Sequence, residues 1–180
     1  DAWMTYKLYE HQKEFFERPE NVEMYKLFRE VEVPLIQVTA SMQRTGVAID
    51  MELADKLNKE YNEKMEKVTK EVEDNIALYE DNIVKFRMIH YNTKLQNPIN
   101  FNSPEQLAIL LYDIIGCQSG NKDNPRAVDE AALKHINIPL TNAILEYRTI
   151  KKLLSTYIEA IPAKIEKVTG RLHASFNQNG

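Results

Sequence analysis

The sequence predicts a mainly α fold, with long antiparallel helices, short helices at the tip where the chain turns back, and a small strand at the C-terminus. Three observations predict it. Apolar residues recur at three- and four-residue steps through segments 22–44, 51–76 and 141–167, the spacing of one helix face. Helix start and stop residues punctuate the chain, among them Asp50, Asn102-Ser103-Pro104-Glu105, Gly46 and Gly116. Two-residue alternation is confined to the short stretch from Arg171 to Phe176.

Residues 1–17 read as a short helix with Tyr6, Leu8, Tyr9, Phe15 and Phe16 as apolar surface, broken by Arg18-Pro19-Glu20-Asn21. Asn21 is placed to cap the next helix. From Val22 to about Arg44, residues Tyr25, Phe28, Val31, Leu35, Val38 and Met42 lie near one face. Pro34 within that run lacks a backbone donor and predicts a kink or a restart. Gly46 suits a left-handed helix end, Val47-Ala48-Ile49 an extended link, and Asp50 the N-cap of a helix to about Ile76. That helix aligns Leu53, Leu57, Tyr61, Met65, Val68 and Val72, and its other faces are dense in Lys and Glu, as in exposed helices with i,i+4 pairs. Asn82 to Met88 fits helix or strand, and Tyr91 to Pro98 a polar loop. Asn102 or Ser103 caps a helix through Leu107, Leu110 and Ile114, with Pro104 at its start and Gly116 at its end. A loop over 117–127 leads to a short helix from Asp129 to His135, then Pro139 and a last long helix from Thr141 to about Lys167. Thr169-Gly170 makes a turn, and the strand that follows stops at Asn177-Gln178-Asn179-Gly180.

Composition excludes several function classes. The single cysteine, Cys117, rules out an internal disulfide and a Cys-rich zinc site, fits a reducing cytoplasm, and reads as a small buried or loop residue rather than a catalytic thiol. There is no apolar run of about 18 residues, so no membrane partner is expected, and Asp1-Ala2-Trp3 does not open a signal peptide. The first residue is not Met, which leads us to expect a piece of a longer chain. His11, His90, His135 and His173 lack ligand spacing, the carboxylates are scattered along amphipathic helices, and neither a Gly-rich phosphate loop nor a Ser-His-Asp order is present. No catalytic residue is therefore assigned. The net charge of −4 hides an asymmetry: residues 1–83 carry 11 Lys/Arg against 19 Asp/Glu, and residues 84–180 carry 12 against 8. A polyanion prefers the second half.

The last long helix concentrates that preference. At about 100° per residue, Tyr147, Ile150, Leu154, Tyr157, Ile161 and Ile165 share one face, and Arg148, Lys152, Ser155 and Thr156 cluster opposite. All four are donors suited to phosphate oxygens, although a solvated basic face accounts for the same residues. The loop Asn100-Phe101-Asn102-Ser103 is a second candidate, where free N–H groups at a helix start would attract an anion, although plain capping by itself accounts for the same residues.

Four segments, in order, resemble family A DNA polymerases, the bacterial DNA polymerase I type and its phage relatives. Glu32-Val33-Pro34-Leu35 with Met42-Gln43-Arg44-Thr45-Gly46-Val47-Ala48-Ile49-Asp50 resembles the start of that family's thumb. Asn100-Phe101-Asn102-Ser103-Pro104-Glu105-Gln106-Leu107 is similar to its thumb tip. Ile144-Leu145-Glu146-Tyr147-Arg148 with Lys152-Leu153-Leu154-Ser155-Thr156-Tyr157 is similar to its long second thumb helix. Thr169-Gly170-Arg171-Leu172-His173 with Ser175-Phe176-Asn177-Gln178 resembles its first palm strand. The resemblance implies a thumb subdomain over residues 21–168, the C-terminal end of a 3′–5′ exonuclease-like domain over 1–20 and the start of the palm over 169–180. It implies that Asn100, Asn102, Ser103, Arg148, Lys152, Ser155 and Thr156 touch the DNA backbone. Asp1 stands where the last exonuclease motif has a metal-binding aspartate, but the partner carboxylates would lie upstream, so Asp1 is a remnant and no metal ligand is assigned.

The sequence also departs from the family pattern. Leu154 stands where the family often has Lys. Ala127-Val128 replace a Ser-Thr pair, with Asp129 still able to cap and Arg126 offering a compensating charge. Residues 77–98 exceed the usual link between the first thumb helix and the tip. The function implied is a grip on primer–template duplex, within a parent DNA-directed DNA polymerase that adds deoxynucleotides to a DNA primer in replication or repair. The partners implied are double-stranded primer–template DNA and the parent's remaining palm and fingers. These residues are expected to be inactive alone and to need no cofactor, whereas the parent is expected to use a divalent metal, Mg. The alternative is a helical protein–protein interaction module that acts through the charged face of residues 51–76 and does not bind DNA.

Overall fold

The computed structural model describes residues 1–91 and 93–177 and is mainly helical. Two compact units are present: Asp1–Ile49 together with the chain from Lys164 onward, and Asp50–Ala163. Gln178, Asn179 and Gly180, within the segment expected to begin the palm and to end the strand, lie outside the described residues.

In the first unit, α1 (Ala2–Phe16) ends at a tight turn over Pro19–Asn21. Asn21 does not cap the next helix with its side chain; its Nδ2 instead donates to the Phe15 carbonyl at 2.7 Å, tying the turn back to α1. Helices α2 (Val22–Leu27) and α3 (Val33–Thr45) are joined by a widened helical turn over Phe28–Glu32, in which the Val33 N–H reaches five residues back to Phe28. Pro34 follows at once. Its ring supplies no N–H and crowds the preceding turn, and the wider turn is how the helix passes it without stopping. The Phe16 and Phe28 rings stack at 5.4 Å.

Strand β1 (Val47–Ala48) pairs antiparallel with β2 (Arg171–Leu172), with Val47 opposite Leu172 and Ala48 opposite Arg171. The strand expected to reach Phe176 stops at Leu172, because its partner strand is only two residues long. Gly46 takes φ +65°, and a Cβ there would lie 2.9 Å from both the His173 ring and the Leu172 carbonyl, so only glycine lets the two segments meet. His173 completes the joint, with Nδ1 2.7 Å from the Gln43 carbonyl.

The second unit holds the main core. Its elements are α4 (Met51–Ala77), α5 (Glu80–Ile89), α6 (Pro104–Ala108), α7 (Glu130–Ile136), α8 (Pro139–Leu153) and α9 (Ala160–Ala163). Asp50 caps α4 through the Leu53 N–H at 3.0 Å, and Asp129 caps α7 through Ala132 at 2.8 Å. Residues 82–88, open between helix and strand on pattern alone, are helical within α5. Pro139 is the first residue of α8, and the fully buried Thr141 hydroxyl bridges the N–H and C=O of Ile138.

Helices α4 and α8 run antiparallel. Val72 joins Ile144 in one apolar cluster, and Val68, Met65 and Tyr61 join Ile150, Leu154 and Ile158 in a second, farther along the pair. Around the first cluster gather Ile83 of α5, Leu95, Ile99 and Phe101 of the following loop, Leu107, Leu110 and Leu111, Leu133 of α7 and Leu140 of α8. The link over 77–98 therefore contributes Ile83 and Leu95 to this core, while Leu78, Met88, Ile89 and Tyr91 stay exposed.

The last long helix is shorter than expected and interrupted. α8 ends at Leu153, a widened turn covers Leu154–Ile158, and α9 ends at Ala163 rather than near Lys167. Pro162, like Pro34, follows a widened turn, which the apolar spacing of the segment does not reveal. The extra residue in that turn rotates the face: Ile158 packs toward α4, and Tyr157, expected there, is 51% exposed.

Replacing Ile83, which is 1% exposed, with Ala is expected to lower the unfolding free energy by about 2–5 kcal/mol in urea titration. Leu78→Ala, at a site 78% exposed, is expected to stay within about 0.5 kcal/mol of the parent chain. Equal small effects at both positions would mean that α5 is not part of the core.

Candidate nucleic-acid interface

All seven sequence-derived site residues fall in the Asp50–Ala163 unit. Asn100, Asn102 and Ser103 lie in the loop before α6, and Arg148, Lys152, Ser155 and Thr156 lie on α8 and its extension.

The loop is shaped by a buried amide. Gln106 is 5% exposed, and its Oε1 accepts from the N–H of Asn100 at 2.9 Å and of Gln96 at 3.3 Å. Asn100 turns back on the loop, its Oδ1 accepting from the Asn102 N–H and its carbonyl from the Ser103 N–H. Ser103 caps α6 through the Gln106 N–H. The expectation of free N–H groups at this helix start is thus corrected for Asn100, Asn102, Ser103 and Gln106, each of which has a partner inside the protein. What the loop presents outward is the side chains of exposed Asn100 and Asn102, with Phe101 buried beneath them.

Lys152 on α8 and Ser155 and Thr156 in the widened turn that follows it are exposed, and the Ser155 hydroxyl donates to the Lys151 carbonyl at 2.8 Å. Arg148 is only half-buried, and its Nη1 donates to the Val128 carbonyl at 2.6 Å. Burial pulls the Arg148 pKa below the usual guanidinium value, and the charge of Asp129 pulls it back up; a guanidinium with that starting value stays protonated. Lys152 opens on a groove between α7 and α8 that also holds Glu130, Lys134, Arg148 and Thr149. Glu130 is held below the usual carboxylate range by its bond to Lys134, with a smaller contribution from Lys152. The basic face therefore carries an acid on its α7 side.

Asn102 is the residue that brings loop and helix together. Its Oδ1 accepts from Lys151 Nζ at 3.0 Å and its Nδ2 donates to the Tyr147 hydroxyl at 3.3 Å. Phe101 packs edge-on against Tyr147 at 4.9 Å between centroids. Lys151 and Tyr147 were passed over by the helix-face argument, which placed Tyr147 in the core and kept Lys152 instead. The available signal was their i,i+4 spacing, which sets an ammonium over a ring, here at 5.5 Å.

Two family departures gain a physical account. Arg126 is bound in bidentate fashion to Asp113 at 2.7 and 2.8 Å, so the compensating charge expected of it is already used. Leu154 is 5% exposed in the α4–α8 seam. Cys117 is half-buried, and burial pushes its thiol pKa up, away from a reactive thiolate. Among the described residues, no group of three or more His, Cys, Asp or Glu is placed to hold a metal ion, and no helix is long and apolar enough to cross a membrane.

A sequence profile of DNA polymerase family A matches residues 54–180, most of the chain. The chain belongs to DNA polymerase family A. It is 34% identical over 157 residues to the thermostable DNA polymerase I of Thermus filiformis, covering 84% of this chain and 17% of that relative. It is 32% identical over 184 residues to DNA polymerase I of Synechocystis sp., covering 99% and 16%, and 29% identical over 165 residues to that of Bacillus subtilis, covering 88% and 16%. This family A chain thus spans about one sixth of the length of these relatives.

The Asp113–Arg126 pair makes a pH prediction. The Arg126 hydrogen bond holds the Asp113 carboxyl below its usual range. A lowered folded-state pKa gives stability that is present above the ordinary Asp value and is lost as the pH falls through the lowered one. Both side chains are substantially exposed, at 48% and 33%, so the contribution is limited to about 1 kcal/mol. Asp113→Asn is expected to destabilise the chain by that amount in urea at neutral pH and to match the parent at strongly acidic pH. A difference independent of pH would show that the ion pair is not its source.

Proposed function

We propose that this family A chain is the thumb of a DNA-directed DNA polymerase and grips primer–template duplex through its phosphate backbone. On this proposal the thumb covers residues 21–168, residues 1–20 end an exonuclease-like domain and residues 169–180 begin the palm. The observation that carries it is the exposed α8 face with Lys152, Ser155 and Thr156, tied by Asn102 to the loop that bears Asn100 and Ser103. Cations and neutral donors along one face suit a continuous run of phosphate oxygens and carry no base code. Arg148 contributes through the donors it does not give to Val128.

The parent enzyme, on this reading, adds deoxynucleotides to a DNA primer in replication or repair in the cytoplasm. Its two-metal chemistry would be supplied by Mg. The described residues contain no cluster that fits such a metal, so no catalytic step is assigned to them. Their role is to hold the duplex for the palm and fingers of the same enzyme.

Fluorescence anisotropy of a labelled primer–template duplex tests the proposal. The chain is expected to bind saturably at low salt and to release the duplex as salt rises. Lys152→Ala is expected to make the slope of log K against log salt shallower by about 0.9. Thr156→Ala is expected to weaken binding with the slope unchanged, because a neutral donor releases no counterion, and Ser155→Ala to have the smaller effect, because that hydroxyl already donates to the Lys151 carbonyl. A folded chain that ignores duplex at low salt would overturn the proposal.

A further inference from the structure

We propose that Asn102, Tyr147 and Lys151 form a built phosphodiester-binding site at the junction of the tip loop and α8. The inference rests on the thumb reading and adds two residues, Tyr147 and Lys151, which neither the helix-face argument nor the family resemblance assigned.

The cluster's donors and acceptors are unevenly used. The carboxamide oxygen of Asn102 accepts from Lys151 Nζ at 3.0 Å. The Tyr147 hydroxyl oxygen accepts from Asn102 Nδ2 at 3.3 Å. An ammonium carries three N–H donors, a carboxamide two and a phenol one. After the two internal bonds, the cluster keeps two ammonium protons, one amide proton and the phenolic proton. Its carboxamide oxygen is taken, and the phenol oxygen already accepts one bond. A cluster that directs outward mainly donors, one of them cationic, selects a ligand made of acceptors and bearing negative charge. A backbone phosphodiester is that ligand. A base edge, which mixes donors and acceptors, is a poorer match.

The site is also held in place before any ligand arrives. Phe101, 8% exposed, packs edge-on against Tyr147 at 4.9 Å. The buried Gln106 amide fixes the loop behind Asn102 through Asn100 and Gln96. Lys151 lies alongside the Tyr147 ring at 5.5 Å. The nearby acid of α6, Glu105, is paired with Lys94 at 2.7 Å. Side chains ordered in advance lose less freedom on binding, so more of each contact appears as affinity. The placement also bears on a family departure. Leu154, where the family often has Lys, is buried against α4, and Lys151, three residues earlier, returns a cation to the exposed side.

Duplex anisotropy with the whole chain tests the site, with Lys151→Gln, Tyr147→Phe and Lys152→Ala compared after thermal melts show each to be folded. Lys151→Gln is expected to weaken duplex binding about threefold to fivefold at moderate salt and to make the salt slope shallower by about 0.9. Tyr147→Phe keeps the ring and removes only the hydroxyl, and is expected to weaken binding by about twofold with the slope unchanged. Inorganic phosphate is expected to compete only at millimolar concentrations, as a ligand that meets one phosphate site among several. If Lys151→Gln and Tyr147→Phe bind as the parent does while Lys152→Ala loses affinity, this site falls and the thumb reading stands. If the parent chain itself does not bind saturably, both fall.

Discussion

The antiparallel seam between α4 and α8 is the constraint on which the Asp50–Ala163 unit depends. Ile144, Ile150 and Leu154 leave water only by lying along Val72, Val68, Met65 and Tyr61 of α4. Burying each such side chain is favourable by about 1.5–3 kcal/mol, and ordering its backbone opposes this by a similar amount. Neither helix is therefore stable in this position without the other. Once the pair is formed, the end near Val72 and Ile144 is an apolar surface that α5, the 95–101 loop, α6 and α7 close over. The opposite side of α8 stays in water, and that is where Lys151, Lys152, Ser155 and Thr156 stand. The seam that makes the core thus also sets the orientation of the candidate interface.

Two prolines, Pro34 in the Asp1–Ile49 unit and Pro162 in the Asp50–Ala163 unit, stand in the same local setting. Pro34 and Pro162 each follow a widened helical turn, over Phe28–Glu32 and Leu154–Ile158. A proline within helix removes one hydrogen bond and crowds the turn before it, and an i→i+5 turn relieves both. The consequence at the second site is a change of face. Positions before Leu154 follow the ideal helical angle, so the exposure of Lys152 and the burial of Ile150 and Leu154 were legible in the sequence. Ser155 and Thr156 are still exposed as expected, and the departure shows at the next two positions, where Tyr157 is outside and Ile158 inside. Periodicity assumes a constant angle per residue, and one added residue in a turn invalidates it downstream. Caps and stops were legible for a different reason. Asp50, Ser103, Asp129, Gly46 and Gly116 act on their immediate neighbours, so no tertiary context has to be known. Asn21 shows the limit, because the carbonyl of Phe15 competes for its amide.

The candidate site divides along the same line. Sequence alone, with the family resemblance, pointed to the helix face and the loop. It could not say which donors are already in use, because the acceptors that use them come from distant parts of the chain. Val128, twenty residues away, takes one donor of Arg148, and Asp113 takes both arms of Arg126. Asn102, forty-nine residues from Lys151, takes one of that lysine's protons and joins it to the loop. Arg148, one of the two cations of the sequence-derived face, is thus partly committed to structure, and Lys151, which that face did not include, is held at the junction.

A chain with net charge −4 does not hold a polyanion by its overall field. Screening near physiological salt limits each exposed charge to about 8–10 Å, so the local arrangement decides. On the proposed reading, that arrangement contains more neutral donors than cations: Asn100, Asn102, Ser103, Tyr147 and Thr156 against Arg148, Lys151 and Lys152, with the Ser155 hydroxyl already given to the Lys151 carbonyl. Cations gain affinity by releasing counterions from the duplex, and that gain is nearly the same for any position along it. Neutral donors release none, and their contribution depends on meeting a phosphate oxygen at hydrogen-bond distance and angle. On that reading, a face built this way would hold the duplex moderately and read the spacing of its backbone. A grip that must let the duplex advance by one nucleotide and then reset has need of both properties: an attraction that does not vary along the strand, and a geometry that repeats with each phosphate.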